Sequence, residues 1–249
     1  MESEQPVFEL ETFTRAITTK PLPLVIGGQA VNIWACYFAS TNEKLQRMQP
    51  FTSKDCDLFG NAETLQHVAS VTGWGVSCSP KGKASPVVGF VSGTDSKGAK
   101  LTIEVLYSVR GLNSDDLKQG VLVQLDHREY KTLSPIALLK AKVANLCELP
   151  QKQSGGHRDD LRHVEILVPC IAGYIAEAYK RLEEGQISER GLVNMLEATR
   201  RVLTAENANK VRDQYQVDFS GCFPQSIRNS SVARIKNFCD HRMPSLGIY

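Results

Sequence analysis

Two aspartates separated by one residue are the first feature of this sequence that could do chemistry. Asp55 and Asp57 flank Cys56 at the start of an apolar stretch. On a strand, alternate side chains share a face, so both carboxylates are expected on one side while Cys56 faces the core. Two close carboxylates repel each other unless a cation lies between them, and Mg²⁺ prefers carboxylate, phosphate and water oxygens. The spacing therefore indicates a Mg²⁺ site.

A third acid, Glu104, stands inside the otherwise apolar run LTIEVLY. An acid in such a run is seldom fully buried without a partner. If its strand lies beside the strand of Asp57, three carboxylates could hold two Mg²⁺ ions roughly 4 Å apart. Two ions at that distance can bind both the attacking and the leaving oxygen of an in-line phosphoryl displacement.

A glycine pair supplies a candidate phosphate-binding turn. Gly27 and Gly28 follow an apolar run and precede a helix predicted over 29–40, which is almost wholly apolar and therefore expected to be buried. A Gly-Gly turn lets backbone N–H groups approach a triphosphate, and the helix N-terminus adds a partial positive charge. Ser53 and Lys54, just before the aspartates, are expected to give further phosphate contacts.

Hydrophobic patterns and turn residues predict the elements that position these side chains. Strands are predicted at 22–26, 56–60, 86–91, 101–109 and 121–125, with a hairpin turn at 93–98. Helices are predicted at 62–71 behind an Asn61 cap, after Ser134-Pro135, and at 160–180, 188–203, 205–215 and 230–240, with Pro169 kinking or interrupting the helix that contains it. We therefore expect an α+β fold: an α/β core over residues 1–130, then a helical domain over 131–249.

Composition narrows the class of protein. The net charge of the 249 residues is only +2, which disfavours indiscriminate nucleic-acid coating, although residues 200–242 carry a local excess of basic side chains. The seven cysteines include no C-x-x-C pair, so neither a disulfide framework nor a zinc site is indicated. No targeting signal and no apolar stretch of roughly 18 residues is present. A cytoplasmic protein without a membrane partner is expected.

The run LVIGGQAVNIWA…TSKDCDLFG…LTIEVL resembles the nucleotidyltransferase fold of the DNA polymerase beta superfamily. It looks most similar to small bacterial nucleotidyltransferases of the abortive-infection toxin type. The resemblance implies phosphate binding at Gly27 and Gly28, and metal binding by Asp55, Asp57 and Glu104.

A second match lies further along the chain. LSPIALLKAKVANL resembles the helix on which this branch carries a nucleotide-binding lysine, which places that role on Lys142 or, as the weaker choice, Lys140. HRDDLRHVEIL resembles a later helix start whose aspartate positions that lysine, which falls on Asp160 or its neighbour Asp159. The sequence departs from the family pattern in two places. The stretch from Gly28 to Asp55 is long, which implies an extended loop around 41–50, and His163 stands where an acid is usual.

Together these features predict transfer of a nucleoside monophosphate from a nucleoside triphosphate to an acceptor, with two Mg²⁺ ions and release of pyrophosphate. The acceptor is left open among RNA or tRNA, protein and a small molecule such as an aminoglycoside. The toxin resemblance also implies an antitoxin or regulator as partner. The alternative is a non-catalytic nucleotide- or RNA-binding module on the same fold.

Overall fold

The structure is a computed structural model that describes residues 7–79, 85–149 and 160–246. The chain divides into two compact units, Met1–Leu138 and Leu139–Tyr249. This division falls within a helix, eight residues after the boundary expected at 130.

Nine strands are described in the first unit. They are β1 (Phe8–Glu9), β2 (Leu24–Ile26), β3 (Thr52–Ser53), β4 (Cys56–Phe59), β5 (Gly75–Cys78), β6 (Val87–Thr94), β7 (Lys100–Leu106), β8 (Val121–Leu125) and β9 (Arg128–Thr132). Its helices are α1 (Thr14–Thr18), α2 (Gly27–Ala39), α3 (Glu43–Arg47), α4 (Ala62–Thr72) and α5 (Ser114–Lys118), and α6 (Pro135–Glu148) crosses into the second unit.

Seven of these strands form a mixed sheet in the order β5-β6-β7-β4-β2-β9-β8. The pairs β4–β7 and β2–β9 are parallel, and the other neighbours are antiparallel. Strands β1 and β3 form a separate antiparallel pair. The strands that carry the predicted acids, β4 and β7, are therefore direct neighbours near the middle of the sheet.

Local sequence signals explain several of these elements. Cys56 and Leu58 on β4 are fully buried, and the residues between and after them are half-buried, as strand alternation requires. Asn61 caps α4: its side chain accepts from the backbone N–H of Thr64, whose hydroxyl faces the Asn61 N–H in return. Helix α2 is buried on nearly all sides, as its apolar composition predicts.

The described residues of the second unit form helices and their connections, with no strand among them. Its helices are α7 (Asp160–Glu183), α8 (Glu189–Thr204), α9 (Glu206–Tyr215), α10 (Gln225–Arg228) and α11 (Ala233–Arg242). Ser188 caps α8 by accepting from the N–H of Gly191 at 3.1 Å. The predicted α+β class, with a mixed sheet followed by helices, is confirmed.

Several features differ from the sequence-based predictions. Helix α7 continues through Pro169, so of the two expected effects, a kink or an interruption, the interruption is absent. The segment 41–50, expected to be an extended loop, contains helix α3, which Asn42 caps. Strands β1, β3, β5 and β9 were not predicted. In β9 the charged residues alternate with the buried Tyr130 and Thr132 and weaken the apolar signal.

No helix in the described ranges has both the length and the apolar character needed to cross a bilayer.

Candidate functional site

The glycine pair forms a tight junction between β2 and α2. Gly27 has φ +66°, in the left-handed region that favours glycine. A Cβ built on Gly27 would overlap the carboxylate of Asp57 and would lie 2.8 Å from its Cγ atom. Helix α2 begins at Gly27 itself, two residues before the predicted start, so the glycines lie within its first turn. Glycine at this position therefore lets the Asp57 carboxylate approach the N-terminus of a buried helix.

The strand register places two of the three predicted acids side by side. Asp57 on β4 is paired with Glu104 on the parallel strand β7, and with Ile26 on the antiparallel strand β2. Both carboxylates are on half-buried residues, whereas Cys56 and Ile103, one position earlier, are fully buried. Asp57 and Glu104 therefore share the face of the sheet opposite to these buried side chains. We call it the acid face.

Asp55 occupies a different kind of position from the one predicted. It lies in a bend before β4 and not on the strand, so strand alternation does not determine where its side chain points. It is half-buried and close enough to Cys56 for its charge to act on that thiol. Burial first, and then the carboxylates of Asp57 and Asp55, raise the pKa of Cys56 well above its ordinary value. Cys56 is therefore a protonated core residue between two acids.

The donor set matches Mg²⁺ in chemistry. Mg²⁺ in proteins usually binds one or two carboxylates and completes its shell with substrate phosphates and water. Asp57 and Glu104 on adjacent strands, with Asp55 two residues away, are carboxylates of that kind. Within the described parts of the chain, no three His, Cys, Asp or Glu side chains already form a group that could hold a metal. These carboxylates therefore fit a Mg²⁺ ion that is bound together with substrate phosphates better than one that is bound by protein ligands alone.

Ser53 and Lys54 lie on the segment that leads into the aspartates. Ser53 on β3 is buried and pairs with Phe8, and Lys54 is half-buried in the bend. Gln29 is fully buried and donates from Nε2 to the carbonyl oxygen of Phe8 at 3.1 Å. This bond ties the first turn of α2 to the β1–β3 pair and so to the residues just before Asp55.

Gln29 was predicted only as a helix residue. Its amide also accepts a hydrogen bond from Nδ2 of Asn32 at 3.0 Å, and both side chains are fully buried. The sequence signal for this contact is a pair of amide side chains three residues apart in an otherwise apolar helix, because buried polar groups require hydrogen-bond partners. The sequence alone does not predict that the partner of Gln29 is the carbonyl oxygen of Phe8.

Lys142 and Asp160 form a buried ion pair within the second unit. The Lys142 Nζ and Asp160 Oδ1 atoms are 2.7 Å apart, and the two side chains are 8% and 2% exposed. His163, also buried, has its Nδ1 atom 3.9 Å from the same carboxylate oxygen. The predicted partnership of Lys142 with Asp160 is therefore present. The weaker choice Lys140 is half-buried on the same helix, and Asp159 lies outside the described residues.

The basic side chains of residues 200–242 are largely engaged inside the second unit. Glu197 pairs with both Arg200 and Arg242, at 2.9 and 3.3 Å. Arg212 donates to the carbonyl oxygen of Leu203, and other basic residues of this group pair with nearby acids or carbonyls. These contacts are typical of a folded helical surface and do not single out a polyanion site.

Comparison with known proteins adds little to this geometry. No family model matches the chain, and no curated protein matches its sequence. A solved structure with partial similarity is that of an antigenic nucleotidyltransferase-like protein from Paracoccidioides brasiliensis. It is 16% identical with a TM-score of 0.37, over 65% of this chain and 76% of that chain. A TM-score this low assigns neither a fold family nor a function to this chain.

Proposed function

We propose that this chain is a Mg²⁺-dependent nucleotidyltransferase. The observation that carries the proposal is the position of Asp57, which contacts the glycine turn on one side and is paired with Glu104 on the other. One carboxylate thus adjoins both a helix N-terminus suited to phosphate and a second carboxylate suited to a reacting hydroxyl. The family resemblance of the motifs likewise assigns phosphate binding to the glycine turn and metal binding to Asp57 and Glu104.

The first turn of α2 would bind the triphosphate. Gly27 and Gly28 have no side chains that would keep phosphate away from their backbone N–H groups, and the dipole of helix α2 favours a negative charge there. Lys54, in the bend beside this turn, would add a positive charge. Asp55 and Asp57 would hold Mg²⁺, which supplies charge neutralisation at the phosphates when bound.

Glu104 would act on the acceptor. In the proposed reaction the acceptor oxygen bonds to the α-phosphorus, and the bond from that phosphorus to its bridging oxygen breaks. Pyrophosphate leaves with the electron pair of the broken bond. Glu104 is next to Asp57 on the acid face and would take the proton that the acceptor hydroxyl loses.

Nucleotide binding is the first test. The thermal stability of wild type is measured with each of the four ribonucleoside triphosphates, with and without Mg²⁺. A nucleotide at about 100 times its Kd adds about 2.7 kcal/mol. At roughly 2–4 °C per kcal/mol for a chain of this size, the midpoint should rise by about 5–10 °C.

The matched variants are Asp57→Asn and Glu129→Gln. Glu129 is a half-buried carboxylate on β9 of the same sheet, distant in register from the glycine turn, so its variant controls for the loss of one acid. We expect Asp57→Asn to abolish the Mg²⁺-dependent shift and Glu129→Gln to keep it. Equal shifts in both variants would refute the assignment of the metal site.

Catalysis is tested separately with nucleotide labelled at the α-phosphate. Transfer of the label to RNA, protein or small-molecule fractions, together with pyrophosphate release that requires Glu104, would identify the acceptor class. Nucleotide binding with no pyrophosphate release under any of these conditions would favour the alternative, a non-catalytic nucleotide- or RNA-binding module. If tRNA or protein is labelled, co-expression with the product of an adjacent regulator gene tests the toxin–antitoxin relationship.

A further inference from the structure

A continuous row of side chains crosses the acid face over five strands. The strand registers pair Ile26 with Asp57, Asp57 with Glu104, Glu104 with Phe90, and Phe90 with Ser77. Directly opposed residues of neighbouring strands point to the same face, with Cβ atoms about 4.5–5.5 Å apart in an antiparallel pair. Phe90 on β6 is therefore the immediate neighbour of Glu104, on the side away from Asp57.

Phe90 lies on the partly exposed face of strand β6. Its residue is only half-buried, while Gly89 and Val91 on either side of it are buried on the opposite face. The next pair on the same face of these two strands is Ser92 with Thr102, both half-buried. An aromatic ring beside a carboxylate and a pair of hydroxyl side chains thus occupies the partly exposed acid face.

The two substrates of the proposed reaction would bind at different positions along this row. The triphosphate would lie at the Gly27 turn, which contacts Asp57 at one end of the row. Glu104, one strand further, would face the acceptor hydroxyl. Phe90 lies one strand beyond Glu104 and so on the acceptor side, roughly 10 Å from Asp57 at the usual spacing of strands.

Resting on the proposed function, we propose that Phe90 binds the acceptor by stacking on a planar ring next to the hydroxyl that reacts. Aromatic side chains stack on nucleobases and similar rings with little dependence on the identity of the ring. A hydroxyl at Glu104 and a ring at Phe90 are separated by one strand spacing, which suits a nucleoside-like group. Phe90 therefore determines acceptor affinity and leaves the donor triphosphate unaffected.

Adenosine is the probe, since it has a planar ring and hydroxyls but no phosphate for the glycine turn. Its binding is measured by equilibrium dialysis in Mg²⁺, with the donor site filled by the α,β-methylene analogue of whichever triphosphate stabilises wild type. If no triphosphate stabilises it, Mg²⁺ alone is used. The proteins are wild type, Phe90→Leu and Phe59→Leu. Phe59 is the matched control, because it is a half-buried phenylalanine on the acid face two residues beyond Asp57, paired with Leu24 away from the glycine turn.

We expect Phe90→Leu to bind adenosine about 5- to 150-fold more weakly than wild type, the range that loss of one stacking contact gives. Phe59→Leu should bind as wild type does. A second readout is tryptophan emission, with wild type as the baseline for Trp34 and Trp74: adenosine should quench Phe90→Trp saturably and leave Phe59→Trp unchanged. Equal adenosine affinity in Phe90→Leu and wild type, or no adenosine binding to either, would overturn the inference.

The two hypotheses fail in different ways. Loss of the Phe90 effect with the Mg²⁺-dependent triphosphate shift intact refutes only the ring contact. Absence of any triphosphate shift in wild type refutes the proposed function, whatever adenosine does. If Phe90→Leu loses the triphosphate shift and adenosine binding equally, the substitution has caused a general structural defect. The Phe90→Trp variant is then the test: tryptophan emission that adenosine does not quench refutes the ring contact.

Discussion

Replacement of Gly27 by alanine tests the geometry of the site at its tightest point. Gly27 combines φ +66° with direct contact between its Cα and the Asp57 carboxylate. The new methyl group would overlap that carboxylate, at 2.8 Å from Cγ and 2.9 Å from Cβ of Asp57. Either the Asp57 side chain must rotate away or the junction between β2 and α2 must shift.

Gly73 provides a matched control. It caps α4 with φ +74°, nearly the same backbone conformation, but a Cβ on Gly73 would have no atom within 4 Å. Gly73→Ala therefore adds the left-handed strain, about 1–2 kcal/mol, offset in part by the smaller unfolded-state entropy of alanine. We expect a net loss of about 1 kcal/mol, or roughly 2–4 °C.

Gly27→Ala should cost more than its control. Forcing the Asp57 side chain from its rotamer adds about 0.5–1.5 kcal/mol, so we expect a total near 2 kcal/mol and a midpoint lower by roughly 4–8 °C. The displaced carboxylate should also remove the Mg²⁺-dependent stabilisation by nucleotide, whereas Gly73→Ala should retain it. Urea unfolding and the nucleotide thermal shift measure the two effects independently.

The refuting result is equally specific. If the two glycine variants lose the same stability, the contact between Gly27 and Asp57 does not constrain the fold. If Gly27→Ala is less stable than Gly73→Ala but keeps the full nucleotide shift, Asp57 does not need its observed position to bind the nucleotide. The first outcome refutes the structural argument and the second refutes its functional extension.

Three further predictions concern single side chains. Lys142→Ala leaves the Asp160 carboxylate buried without its cation and should lower the free energy of unfolding by about 3–5 kcal/mol; Lys142→Met with Asp160→Leu should recover much of it in urea unfolding. Asn61→Ala removes the α4 cap and should cost about 1 kcal/mol by the same measurement; no loss would mean that water replaces the cap. At about pH 8 a thiol reagent should modify the exposed Cys78 in the native protein but not Cys56, because burial and the adjacent aspartates raise the pKa of the Cys56 thiol. Modification of Cys56 at the rate of Cys78 would contradict its burial.

The sequence alone determined those features that depend on neighbours along the chain. The Asn61 cap, the alternation of Cys56 and Leu58, and the apolar helix after the glycine pair follow from local hydrogen bonding and from periodicity. The α+β class follows from the same signals, because strand patterns precede position 130 and helical patterns follow it. These elements were predictable to within a few residues.

Which of these elements lie next to each other depends on the long-range pairing of the strands. The pairing of Asp57 with Glu104 depends on β4 and β7 being neighbours in register, and a shift of one residue would turn Glu104 to the opposite face. The same register places Phe90 beside Glu104, although no local pattern links residues 90 and 104. Contacts of this kind are set by long-range strand pairing and core packing, which a single sequence does not display.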